Sequence, residues 1–168
     1  MAAPVPGPNV GFLAILQDPG GTLGGYLVTN SWGRPLEFRL TSAVQPNRVQ
    51  AILYGAALSS FLCGELIGKT LVEKSTAPVR WIVTDSPHVL ELRQHVEFPV
   101  VLSATSEPDG LTAVSKSLYV LPRFAGDAAA VGDLLAQSPS LDLGEPFLRI
   151  REAVAEARKL GLAQRPAA

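Results

Sequence analysis

Apolar and polar positions change period several times along the chain, and each change predicts an element. "GFLAILQ" (Gly11 to Gln17) and "YLVTN" (Tyr26 to Asn30) are short apolar runs on either side of the turn-rich "DPGGTLGG", the pattern of two strands around a turn. After a second turn signal, "SWGR", Leu36, Phe38 and Leu40 alternate with Glu37, Arg39 and Thr41, the period of a half-buried strand. The first third therefore predicts a three-stranded antiparallel meander. From Pro46 and Asn47 the period becomes helical, with Val49, Ile52, Leu53, Leu58, Leu62, Leu66 and Leu71 near helical spacing up to about Lys74. Within it Ala56, Ser60, Gly64 and Gly68 recur at every fourth position, a small-residue ridge suited to close approach of a sheet. Gly64 and Gly68 each cost about 1 kcal/mol of helix propensity, so a bend is expected there.

"VRWIVTD" is near-continuous and β-branched, as in a strand covered on both faces. Ser86 and Pro87 form a cap and first-turn pair that opens a short helix to about His95, and "FPVVLSAT" (Phe98 to Thr105) is another buried strand. Strand, helix and strand read as a βαβ unit. "LTAVSKSLYVLP" supplies one more strand at an edge, and helices are expected at Asp127 to Gln137 and Glu145 to Leu160. The last places Phe147, Ile150, Val154 and Ala157 on one face, with Arg149, Glu152, Glu156 and Arg158 outside. The expected fold is α/β: a mixed sheet with an N-terminal meander, a long helix, a βαβ unit and C-terminal helices. Residues 11–160 form a single domain, with a Pro-rich tail at 1–10 and a second tail at 161–168.

Composition narrows the function classes. With 14 Lys and Arg against 15 Asp and Glu, no bulk positive field draws nucleic acid or an anionic membrane. The longest apolar stretch, Ala51 to Ile67, falls short of the roughly 20 residues that cross a bilayer, and is read as a buried helix rather than a membrane span. "MAAPVPGPNV" lacks the basic and apolar regions of a secretory signal, and the single Cys63 is a core residue; both point to the cytoplasm.

Particular residues add a resemblance. Asp18 is followed by "PGGTL" and Gly24-Gly25-Tyr26, "NRVQ" (Asn47 to Gln50) opens the long helix, and the buried strand ends on Thr84, Asp85 and Ser86. In this order, over roughly residues 11–105, these pieces resemble the ribonuclease H-like superfamily, including its Holliday-junction resolvases. The resemblance implies that Asp18 and Asp85, as catalytic residues and metal ligands, meet at the sheet centre and hold Mg²⁺ or Mn²⁺ for phosphodiester cleavage. It also implies a carboxylate where Gln50 stands, and a fourth acidic ligand for which Asp142 or Glu145 is available. A neutral amide at Gln50 cannot balance metal charge, so the resemblance points to a degenerate site.

Plainer readings stand beside it. Asp18, ahead of Pro-Gly-Gly, opens a turn whose backbone its side chain bonds, and Asp85 helps cap the helix at Ser86. His88 and His95, seven apart, share a helix face without a zinc motif. Trp32 in its turn packs the hairpin end or anchors a partner. Two functions are therefore expected. One is a non-enzymatic domain acting by protein association, as a homodimer through the small-residue ridge or the last helix or with another protein; the other is a metal-dependent nuclease, for which alone nucleic acid is a partner.

Overall fold

The computed structural model describes residues 7–161, and builds them around one mixed sheet. Its strands are β1 (Val10–Asp18), β2 (Gly21–Thr29), β3 (Pro35–Leu40), β4 (Trp81–Thr84), β5 (Val100–Ser103), β6 (Thr112–Ser115) and β7 (Leu118–Val120), in the spatial order β3-β2-β1-β4-β5-β7-β6. The expected meander is present: β1 pairs antiparallel with β2, and β2 with β3. The βαβ unit is present too, since β4 lies parallel to both β1 and β5. The helices are α1 (Arg48–Tyr54), α2 (Leu58–Ser60), α3 (Lys69–Lys74), α4 (Ala128–Ala136) and α5 (Glu145–Lys159).

Side chains alternate along a strand, so β1 serves two cores. Val10, Phe12 and Ala14 enter one with Phe147, Ile150 and Val154 of α5; Leu13 enters the other with Leu62, Cys63, Ile67 and Leu71. Phe12 meets Phe147 edge-on, with ring centres 5.6 Å apart. The glycines of "GGTLGG" were read as a turn, but the turn is only Pro19-Gly20, and Gly24 and Gly25 lie inside β2. They are there for clearance. A Cβ on Gly24 would stand 2.3 Å from Ile67 Cγ2, and one on Gly25 would stand 2.5 Å from Ile150 Cγ2, on opposite faces of the strand.

The long helical run starts at Asn47 as expected and departs from expectation in two places. Its start is a capping box: the Gln50 N–H donates to Asn47 Oδ1 (2.8 Å), and the Asn47 N–H donates to Gln50 Oε1 (3.0 Å). The break falls at Gly55, whose φ of +53° ends α1, while Phe61–Gly68 winds as a wider π-helix. The run is also not buried throughout. Gly64 and Gly68 are buried, whereas no residue of α1 is. Arg48–Lys74 is long and apolar enough by length and composition to cross a membrane, with 28% of its most apolar window buried. Gly64 abuts the segment Pro87–His95, with Leu92 N 3.1 Å from its notional Cβ, so the small-residue ridge is occupied within the chain. The apolar face of α5 is likewise buried on the sheet.

Pro87–His95 is 3₁₀-helical. At about three residues per turn, positions seven apart do not share a face, and His88 and His95 separate accordingly: His95 reaches Glu65 at 3.0 Å, while His88 lines a cleft at the end of β4. "LTAVSKSLYVLP" folds as the hairpin β6–β7 rather than one strand, turning at Ser117 (φ +63°). Part of the expected N-terminal tail is held down: Gly7 N–H donates to Ser31 Oγ (3.0 Å), and Asn9 bonds Pro78 and Arg80. Residues 1–6 and 162–168 of the expected tails lie outside the described residues.

Glu37 of β3 fastens that strand to the end of α3, accepting from Ser75 Oγ, Thr76 N–H (2.9 Å) and Thr76 Oγ1 (2.7 Å). Burial alone would raise its carboxyl, but these hydrogen bonds and the Arg39 charge bring it down to about 2. A carboxyl whose folded value lies below its ordinary 4.5 stabilises the fold above that value and releases the gain as pH falls from about 4.5 to about 2. Urea denaturation across that window is expected to show stability falling with acid, and Glu37→Gln is expected to flatten the slope. Gly24→Ala and Gly25→Ala are each expected to lower unfolding free energy by about 1–3 kcal/mol, through forced displacement of Ile67 or Ile150. Equal stability to the wild type in the same denaturation assay would show that β2 does not require the clearance.

Candidate functional site

Parallel strands leave a crevice at their carboxyl ends, and here a cleft of about 350 Å³ lies beyond β1 and β4. Gln17, Cys63, Asp85, Ser86, His88 and Arg151 are among its lining residues. Thr84 fixes its floor: the hydroxyl donates to Leu13 O (2.7 Å) and accepts from the Ser86 N–H (3.1 Å). Burial pushes the Cys63 thiol up to about 11, away from the reactive thiolate, in keeping with its expected core role.

Asp85 is not a helix cap. Ser86 occupies the cap position without a side-chain cap bond, and Asp85 Oδ2 instead accepts from Arg151 of α5. Asp18 has two partners. Its Oδ1 accepts from the Gly20 N–H (2.6 Å), the expected turn bond, and its Oδ2 meets Arg158 Nη2 at 2.7 Å. Leu13 is in register with Thr84, so the β1 residue level with Asp85 is Ala14, and Asp18 lies four residues beyond it. At 3.3 Å per residue that offset is about 13 Å, and Arg151 and Arg158, seven residues apart on one helix, are about 10.5 Å apart along its axis.

One hard cation takes its oxygen ligands at about 2.0–2.6 Å. Asp18 sits further along the strands than Asp85, and each carboxylate meets its own guanidinium of α5. The other expected ligands are also engaged elsewhere. Gln50 closes the α1 capping box. Asp142 accepts from the Gly144 and Glu145 N–H groups at the start of α5, which hold its carboxyl below the ordinary range. Glu145 pairs with Arg149 at 3.0 Å. Among the described residues, no group of three or more His, Cys, Asp and Glu side chains could hold a metal ion. Asp18 and Asp85 are each paired with a guanidinium of α5 where the resemblance implies a shared cation.

Arg151 is the residue that sequence reasoning missed. Its signal was its place beside the buried Phe147, Ile150 and Val154 stripe, one helical turn from Phe147, where a long side chain reaches past the helix edge to the strand ends. Arg158 was assigned to solvent, yet lies one turn from Val154 and reaches Asp18 in the same way.

No family model matches the chain, and no curated protein matches it in sequence. Among solved structures, it is similar to LC11-RNase H1, isolated from compost by a metagenomic approach, at 16% identity over 92% of this chain and 98% of that one, with a TM-score of 0.34. A likeness at that level assigns no family or activity here.

Asp85→Asn is expected to cost less than about 1 kcal/mol, because the Asp85–Arg151 pair is part exposed. Asp18→Ala is expected to cost more, about 1–2 kcal/mol, because the turn bond goes with the ion pair. Chemical denaturation of both variants measures the order.

Proposed function

We propose that this chain is a non-enzymatic domain that acts by protein association, built on a degenerate ribonuclease H-like layout, with α1 as its docking element. The observation that carries the reading is α1 itself. Val49, Ile52 and Leu53, at helical spacing, are 64%, 69% and 78% exposed, on a helix none of whose residues is buried. A groove of about 420 Å³ runs beside it, lined by Tyr54, Phe61, Glu65 and Glu91 among others, and Tyr54 stacks on Phe61 with ring centres 4.2 Å apart. An apolar helix face with an aromatic-walled groove suits the apolar segment of a second protein. Arg48 is the one charge on α1, so no basic collar favours an anionic bilayer.

The degenerate part of the reading is supported by the order of elements, the adjacency of β1 and β4, and the engagement of Asp18, Gln50 and Asp85 in contacts within the chain.

The test pairs Ile52→Asp with Leu53→Asp. Both positions face solvent, so the double variant is expected to fold with an unchanged melting temperature. A purified partner, identified by crosslinking, is expected to bind it at least about tenfold more weakly than the wild type. Equal binding would remove α1 as the docking element, and vesicle binding lost with the same variant would point to lipid instead. Metal-dependent cleavage of a phosphodiester by the wild type with Mn²⁺ or Mg²⁺, lost in Asp18→Asn, would overturn the non-enzymatic reading.

A further inference from the structure

Beyond docking at α1, we infer a second interface: β3 pairs with β3 of a second copy, antiparallel, with Phe38 on the two-fold axis. β3 ends the sheet, and Leu36 and Phe38 are 49% and 37% exposed, with Trp32 exposed in the turn before them. An edge strand of this length with apolar side chains in solvent is what monomers avoid. The opposite edge, β6, has four residues and a register irregularity at Ala113/Ser115. In β3 the register shift between Val28 and Thr29 leaves Leu36 as an unpaired bulge residue, and the longer stretch Glu37–Leu40 is regular.

The occupant follows from the sequence of the edge. Leu36-Glu37-Phe38-Arg39-Leu40 is its own complement when reversed. With Phe38 opposite Phe38 of the second copy, Leu36 faces Leu40, and Glu37 faces Arg39 twice. Sliding by two residues in either direction keeps the faces but sets Glu37 against Glu37 or Arg39 against Arg39, which is unfavourable. Charge therefore selects one register. Arg39 is suited to a second carboxylate: its Nε lies 3.4 Å from Glu37 Oε2 but makes no hydrogen bond, and its side chain is 38% exposed.

The backbone agrees. Thr41 N–H bonds Gly24 O of β2, and alternation turns Arg39 and Glu37 toward β2 as well. Phe38 and Leu40 then present their N–H and C=O groups outward. In the proposed register Phe38 exchanges hydrogen bonds with Phe38 of the second copy across the axis.

Sedimentation equilibrium from micromolar to submillimolar concentration tests the proposal. The wild type is expected to approach twice its 17.7 kDa chain mass. Arg39→Glu, which crowds four carboxylates at the axis, and Phe38→Pro, which removes one outward N–H, are each expected to return a single-chain mass with unchanged circular dichroism. Should one of them unfold, the other decides. Hydrogen exchange supplies a second readout: the amides of Phe38 and Leu40 should gain protection with concentration, and those of Glu37 and Arg39 should be protected throughout. A wild type of single-chain mass at every concentration overturns the proposal, as does a dimer that survives both variants. The Ile52→Asp, Leu53→Asp variant should still dimerise, and loss of the dimer there instead would place the interface on α1.

Discussion

The double-sided burial of β1 is the constraint on which the rest of the structure depends. Val10, Phe12, Leu13 and Ala14 are fully enclosed, so helices must close on both faces of one strand and on the β2 strand paired with it. Two helical layers cannot approach a strand this closely where side chains intervene. Gly24 and Gly25 resolve the conflict by removing a side chain from each face in turn, letting Ile67 in from one side and Ile150 from the other. Dispersion and the removal of apolar surface from water, about 25 cal/mol per Å², then act on both layers at once.

The position of α5 has an electrostatic consequence. Seated by Phe147, Ile150 and Val154, it carries Arg151 and Arg158 along the edge of its buried stripe to the carboxyl ends of the strands. Two strand-end carboxylates, held part-buried at the carboxyl ends of β1 and β4, each need a counter-charge. Here guanidinium groups of the same chain supply that charge, and each also accounts for the orientation of its carboxylate. Catalytic metal chemistry needs two carboxylates converging on one point, whereas α5 holds these two a couple of helical turns apart.

What the packing leaves uncovered is as informative as what it covers. The sheet and its helices bury Gly64, Gly68 and the stripe of α5, yet α1 projects Val49, Ile52 and Leu53 into water beyond the break at Gly55. Exposed apolar side chains singly are ordinary, but three on one short helix, beside an aromatic groove, form a patch of the kind interfaces use. The uncapped side of β3 is a different kind of surface, defined by backbone hydrogen-bonding groups rather than by area.

By itself the sequence determined the order and type of most elements, because period and turn residues are local signals. The meander, the alternating β3, the βαβ unit, the cap at Asn47 and the apolar stripe of α5 are all legible in residues near one another in the chain. The Asp18 turn was legible for the same reason. Only the tertiary structure decided the rest. The roles of Gly24 and Gly25 depend on Ile67 and Ile150, and the partner of Asp85 lies 66 residues away. The exposure of α1 depends on where the chain bends and on where the sheet ends. Spacing along a strand predicts which residues share a face, but not the register between strands, and here a four-residue offset between β1 and β4 separates two carboxylates that motif order alone would join.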